Sequence, residues 1–123
     1  EYTRISLFKE RGFNKGREYN PGARVPNVNY SLISLETSYS SVLPDVRSRA
    51  PETAPVMIPP GETFKLRIFV DKSVVEVFVN GKQCIAARIY PGLKESVGVS
   101  LRAQGQEAEL KSLDAYQMKS VYD

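Results

Sequence analysis

The sequence predicts an all-β domain, a two-sheet antiparallel β-sandwich. Three observations lead there. Apolar and polar residues alternate with period 2 over much of the chain, most cleanly after Phe64. Gly, Pro, Asn and Asp collect between the alternating runs, where turns are needed. No segment carries a sustained helical period. Short strands separated by turn signals build a sandwich rather than a bundle. With 123 residues, the chain is expected to form one β-sandwich domain over 1–123.

Taken in order, Tyr2 to Phe8 reads as a first strand with Thr3, Ile5 and Leu7 on one face. Lys9 to Asn29, rich in Gly, Asn, Pro and Arg, reads as a long loop without a period. Tyr30 to Thr37 is a second strand. Ser38 to Pro60 is interrupted by five prolines, which permit only short edge strands because Pro has no N–H to give a ladder. Three strands follow: Phe64 to Val70, with Phe64, Leu66, Ile68 and Val70 on one face; Val74 to Val79, with Val75, Val77 and Val79; and Gln83 to Tyr90, with Ile85, Ala87 and Ile89. Val97, Val99 and Leu101 alternate with Gly98 and Ser100 as a further strand. Glu107 to Met118 is a long last strand whose alternation flips from Ala108 and Leu110 to Leu113 and Ala115, which predicts a β-bulge near Ser112.

Two hairpin registers follow from parity. A two-residue turn at Asp71-Lys72 opposes Val70 to Ser73 and Arg67 to Glu76, and keeps Leu66 and Ile68 on the face of Val75 and Val77. Arg67 and Glu76 would then make an outward ion pair. Asn80-Gly81 invites a two-residue type I′ turn, but that register opposes Val77 to Cys84 and turns Ile85 to the wrong face. An odd-length loop with Gly81 in the left-handed region restores the parity.

Composition excludes several chemistries. The chain has no His, no Trp and one Cys, so it contains no Ser-His-Asp triad, no Cys-His dyad, no His-ligated metal and no internal disulfide. No cofactor or metal is expected. The net charge of +3 is local: Lys9, Arg11, Lys15, Arg17 and Arg24 stand against Glu10 and Glu18 in the loop, and the remaining charges cancel. A solvated polar loop accounts for that cluster, and no aromatic-interleaved motif supports a nucleic-acid partner. No apolar run approaches the roughly 20 residues that span a bilayer, so no membrane partner is expected. Glu1-Tyr2-Thr3-Arg4 reads as the inside of a strand rather than a natural start, which predicts a piece of a longer chain and leaves localisation unread.

The run Leu66 to Pro91, LRIFVDKSVVEVFVNGKQCIAARIYP, resembles the C-terminal β-sandwich module of glycoside hydrolase family 32, the β-fructofuranosidases. The matching positions are Asp71, Ser73, Glu76, Val77, Phe78, Asn80, Arg88, Ile89, Tyr90 and Pro91, and Ser112 to Met118 is similar to the family's closing strand. The resemblance is specific from about Glu62 onward. It implies a two-domain parent in which a β-propeller holds the catalytic carboxyls and the sandwich packs beside it. Retaining hydrolysis places two carboxyl groups about 5–5.5 Å apart. The family's propeller motifs that supply them do not occur here, so no residue of this chain is expected to be catalytic.

The motif residues Asp71, Ser73, Glu76, Phe78, Asn80, Arg88, Tyr90 and Pro91 are therefore read as structural. Asp71 suits a turn, and Glu76 suits a ladder position. Phe69 and Phe78 lie on the face opposite the valine stripe, as an interface to be covered by the basic loop, the propeller or a sugar, in that order. Cys84 is read as a half-buried small hydrophobe. The leading functional expectation is a non-catalytic module supporting a propeller. An autonomous, lectin-like carbohydrate-binding domain is the alternative. Self-association is expected through the Phe69 and Phe78 face or the Ser38 to Pro60 segment.

Overall fold

A computed structural model describes residues 1–11, 14–15 and 28–122. Regular structure among them is entirely β: β1 (Arg4–Phe8), β2 (Asn14–Lys15), β3 (Val28–Asn29), β4 (Ser31–Glu36), β5 (Glu52–Val56), β6 (Leu66–Asp71), β7 (Val74–Val79) and β8 (Gln83–Arg88). The strands form two antiparallel three-stranded sheets, ordered β1-β4-β5 and β6-β7-β8, and a short β2-β3 ribbon. The ribbon lies inside the Lys9 to Asn29 stretch, most of which is outside the described residues.

Alternation decides what goes inside. On β4, Ile33 and Leu35 are buried, and β1 places Leu7 and Ile5 directly opposite them. On β5, Val56 is buried, with Ala54 opposite Ile33. From the second sheet come Val75, Val77, Val79 and Ile85, and together with Ile58 these side chains make one core cluster. Ala87 and Ile89 pack against it, as the period of Gln83 to Tyr90 requires. Pro55 lies within β5, which is an edge strand of its sheet and so tolerates a residue with no N–H.

The β7-β8 connection has the expected odd length. Val79 pairs with Gln83 and Val77 with Ile85, leaving Asn80, Gly81 and Lys82 as a three-residue loop. Gly81 has φ +63° and Asn80 φ +51°, and Lys82 N–H donates to the Val79 carbonyl at 2.9 Å. The type I′ turn at Asn80-Gly81 and the odd loop are therefore not alternatives. The turn forms, and Lys82 is the extra residue that returns Ile85 to the core face.

Two expectations are corrected. The β6-β7 turn is Lys72-Ser73 rather than Asp71-Lys72, with Asp71 opposite Val74 and Val70 opposite Val75. A shift of two residues leaves every face unchanged, so parity cannot detect it. The observed register stacks Leu66 on Val79, Ile68 on Val77 and Val70 on Val75, and leaves Ser73 out of the ladder. Arg67 consequently lies opposite Phe78 and Glu76 opposite Phe69, and the Arg67–Glu76 ion pair does not form. The ion pair present among the described residues is Lys82–Glu62 at 3.9 Å, exposed on both sides and worth little.

The second correction concerns the C-terminal stretch. Neither Val97 to Leu101 nor Glu107 to Met118 is a strand, and no bulge forms near Ser112. Residues 97–122 run exposed, with Val97 at 81% and Val99 at 92%. Period-2 alternation says which face of a strand would be apolar, but a strand also needs a ladder partner, and this segment has none among the described residues. The core-side residues of β6 are exposed as well: Phe64, Leu66, Ile68 and Val70 share the face of the valine stripe but lie beyond the cover of the first sheet.

Candidate functional site

The residues singled out by motif converge on the β6-β7-β8 hairpins. Asp71 closes β6 on the surface, and Ser73 sits in the turn with its carbonyl accepting from Ile89 N–H at 2.8 Å. That bond fastens the turn to the chain leaving β8. Glu76 is exposed between Phe69 on β6 and Ala86 on β8. Arg88 ends β8 opposite Val74 and is exposed, as are Tyr90 and Pro91.

Asn80 has the most defined local role. Its backbone N–H donates to the Lys65 carbonyl at 3.0 Å, and its side-chain Oδ1 accepts from Lys65 N–H. The side chain thus supplies a bond that extends the β6-β7 ladder past its last pair, while the left-handed backbone opens the turn. Its Nδ2 is buried without a partner. The short polar side chain and tolerance of positive φ explain why Asn suits this position.

On the outer face Phe69 and Phe78 meet edge to face, with ring centroids 5.8 Å apart. Phe78 lies opposite Cys84, and both rings point away from the core, as the alternation predicts. A shallow, open depression of about 200 Å³ lies beside them, lined by Phe78, Gly81, Lys82, Gln83 and Cys84. Its polar lining is already engaged: Gln83 Nε2 donates to the Pro55 carbonyl at 2.9 Å and Gln83 Oε1 accepts from Cys84 N–H. Cys84 is exposed rather than half-buried, since none of the described residues covers it on this face of β8.

Two carboxylates among the described residues have an acidity that their surroundings shift, and in neither is it weakened. A glycosidase acid needs its proton held near neutral pH, so its acidity must be weakened. Glu1 and Glu36 are instead held below the ordinary carboxylate range. The Gly92 N–H, with those of Val42 and Leu93 and the Ser96 hydroxyl, brings Glu1 from 4.5 to about 2. The Ser38 hydroxyl and N–H lower Glu36. Among the described residues no group of three or more His, Cys, Asp or Glu is placed to hold a metal. Sequence reasoning missed the Glu1 cluster, and no local signal could have found it, since its partners lie 41 to 95 residues away.

The chain is thus a two-sheet all-β domain whose motif residues gather on and beside the β6-β7-β8 hairpins. Residues 24–117 match the family described as glycosyl hydrolases family 32 C terminal, and the chain belongs to that family. It is 46% identical over 72 residues to a levanase of Bacillus subtilis (strain 168), an alignment covering 58% of this chain and 10% of that protein. It is 40% identical to the β-fructofuranosidase insoluble isoenzyme CWINV5 of Arabidopsis thaliana, over 98% of this chain and 20% of that protein. It is 32% identical to an acid β-fructofuranosidase of Vigna radiata var. radiata, over 99% of this chain and 17% of that protein. The chain therefore spans a tenth to a fifth of the length of these relatives. No solved structure matches it significantly.

Proposed function

We propose that this chain is a non-catalytic sandwich module of a larger enzyme that hydrolyses β-fructosides, and that it supports a β-propeller catalytic domain. The observation that carries this reading is the match to a C-terminal family domain by a chain that corresponds to a small share of each relative. The physics agrees. A core shared by two sheets gives a rigid block, and the carboxylates with perturbed acidity are fixed as anions in structural bonds rather than poised to donate protons. The Phe69–Phe78 face is the proposed contact with the catalytic domain, an edge-to-face aromatic pair on the side of the sheet opposite the core.

The test is an assay of the purified chain on sucrose, levan and inulin beside the full-length parent. The expected result is no sugar release by the chain, release by the parent, and loss of thermal stability in a parent lacking the module. Hydrolysis by the chain alone, above a mock-purified control, would overturn the proposal.

A further inference from the structure

β6 is the outer strand of its sheet, and its far edge has no partner among the described residues. It is six residues long, LRIFVD, without Pro, Gly or bulge, and exposed along its whole length. Protected edges carry such interruptions, and an edge without them is a template for another strand.

The hydrogen-bonding phase of that edge can be read. Asn80 N–H bonds the Lys65 carbonyl, so in the β6-β7 register the odd-numbered residues of β6 turn their backbone groups toward β7. Antiparallel ladders alternate, so Leu66, Ile68 and Val70 turn their N–H and C=O groups out of the sheet. A second strand must bond to those three residues. In an antiparallel pairing of β6 with itself, even-numbered residues must then face even-numbered residues.

The register centred on Phe69 satisfies this. Ile68 faces the other copy's Val70 as a hydrogen-bonded pair, twice. Phe69 faces its own copy across the two-fold axis. Arg67 faces the other copy's Asp71, also twice, in non-hydrogen-bonded positions where side chains come closest. Both charged residues are exposed, and neither makes an ion pair with another described residue. The register centred on Ile68 would instead oppose Asp71 to Lys65, which lies outside the strand.

We propose that the β6 edge is a homodimer interface, at which two copies join antiparallel about Phe69 into a continuous six-stranded sheet closed by two Arg67–Asp71 ion pairs. The charge pattern is self-complementary under a two-fold rotation, which is the condition for an isologous contact. It contributes only six residues a side against roughly 20–30 in a standard interface. The association is therefore weak, in the micromolar-to-millimolar range. It does not depend on the nature of the parent enzyme.

Sedimentation of the 123-residue chain over a concentration series tests it, with Arg67→Asp, Asp71→Arg and the double exchange. Each single reversal puts like charges opposite one another twice and should weaken dimerisation at least about tenfold. The double exchange should restore it. On a Cys84→Ser background, Phe69→Cys should cross-link into a dimer on mild oxidation and Ile68→Cys should not, because only residue 69 faces itself. Cross-linking also decides the matter if a charge variant folds poorly. A chain that stays monomeric at all concentrations would overturn the proposal. So would a dimer indifferent to both reversals, cross-linking at 68 instead of 69, or a monomer whose own tail protects β6.

Discussion

The Glu1 carboxylate accepts four hydrogen bonds: from Val42 N–H at 2.8 Å and Gly92 N–H at 2.6 Å on one oxygen, and from Leu93 N–H at 3.0 Å and Ser96 Oγ at 2.8 Å on the other. One side chain thereby ties the segment leading into β1 to the β4-β5 connection and to the segment after β8. An added Cβ at Gly92 would stand 3.0 Å from Leu43 Cδ2, so a larger residue there would require the leucine side chain to give way. The folded-state acidity lies near 2 against an ordinary 4.5. The stabilisation is therefore fully present above about pH 4.5 and is lost as pH falls toward 2. Glu1→Gln keeps one acceptor oxygen and can hold only one of the two donor pairs. It should lower the melting temperature at pH 7 and flatten its decline between pH 5 and 2; parallel curves for variant and parent would disprove the role. Gly81 is the contrasting residue. Its Cβ would meet nothing within 4 Å, so Gly81→Val tests backbone conformation alone. At φ +63° the expected loss is about 1–3 kcal/mol in chemical unfolding, with Gly81→Asn much milder. Gly81 was legible because an Asn-Gly pair and strand parity are both local. Glu1 was not, because its bonds depend on how distant segments come together.

At the scale of elements, the sequence shows which side of each strand is apolar but not which sides find cover. Val75, Val77 and Val79 are buried, while Leu66, Ile68 and Val70 on the same side are open. Nothing in LRIFVD distinguishes the two cases, since both runs alternate equally well. The β6-β7 turn shows the same limit: two registers differing by two residues present identical faces, and only the pairing of Val74 rather than Ser73 separates them. Substitution can read the difference. Leu35 is fully buried, and Leu35→Ala should cost about 2–5 kcal/mol through lost transfer energy and the cavity left behind. Ile68 is 46% exposed, and Ile68→Ala should cost well under half as much when measured by urea unfolding at concentrations where the chain is monomeric. Equal costs at the two positions would mean that the β6 face is covered in solution.

For the whole molecule, the decisive contrast is between the compact sheets and the segment that follows them. The family match runs to residue 117 and so includes most of the exposed stretch, whose alternation had predicted two further strands. Composition supplied the apolar residues, and two of the described sheets end in free edges, yet the segment joins neither. Its tie to the sandwich among the described residues is a hydrogen bond from Lys111 Nζ to Thr63 Oγ1 at 3.2 Å, exposed and therefore weak. The anchor at Glu1 holds Gly92 to Ser96 and ends there. A chain cut after Ser96 should consequently keep the far-ultraviolet spectrum of a β protein and unfold within a few degrees of the intact one. In the intact chain, amides from Gly98 to Val121 should exchange with deuterium at nearly unprotected rates, while those of β4 and β7 exchange slowest, because only the latter are locked in central ladders over a dry core. The two measurements are independent. Protection of alternate amides between 97 and 118, or collapse of the shortened chain, would show that the segment completes the sandwich, and that β6 owes its stability to it.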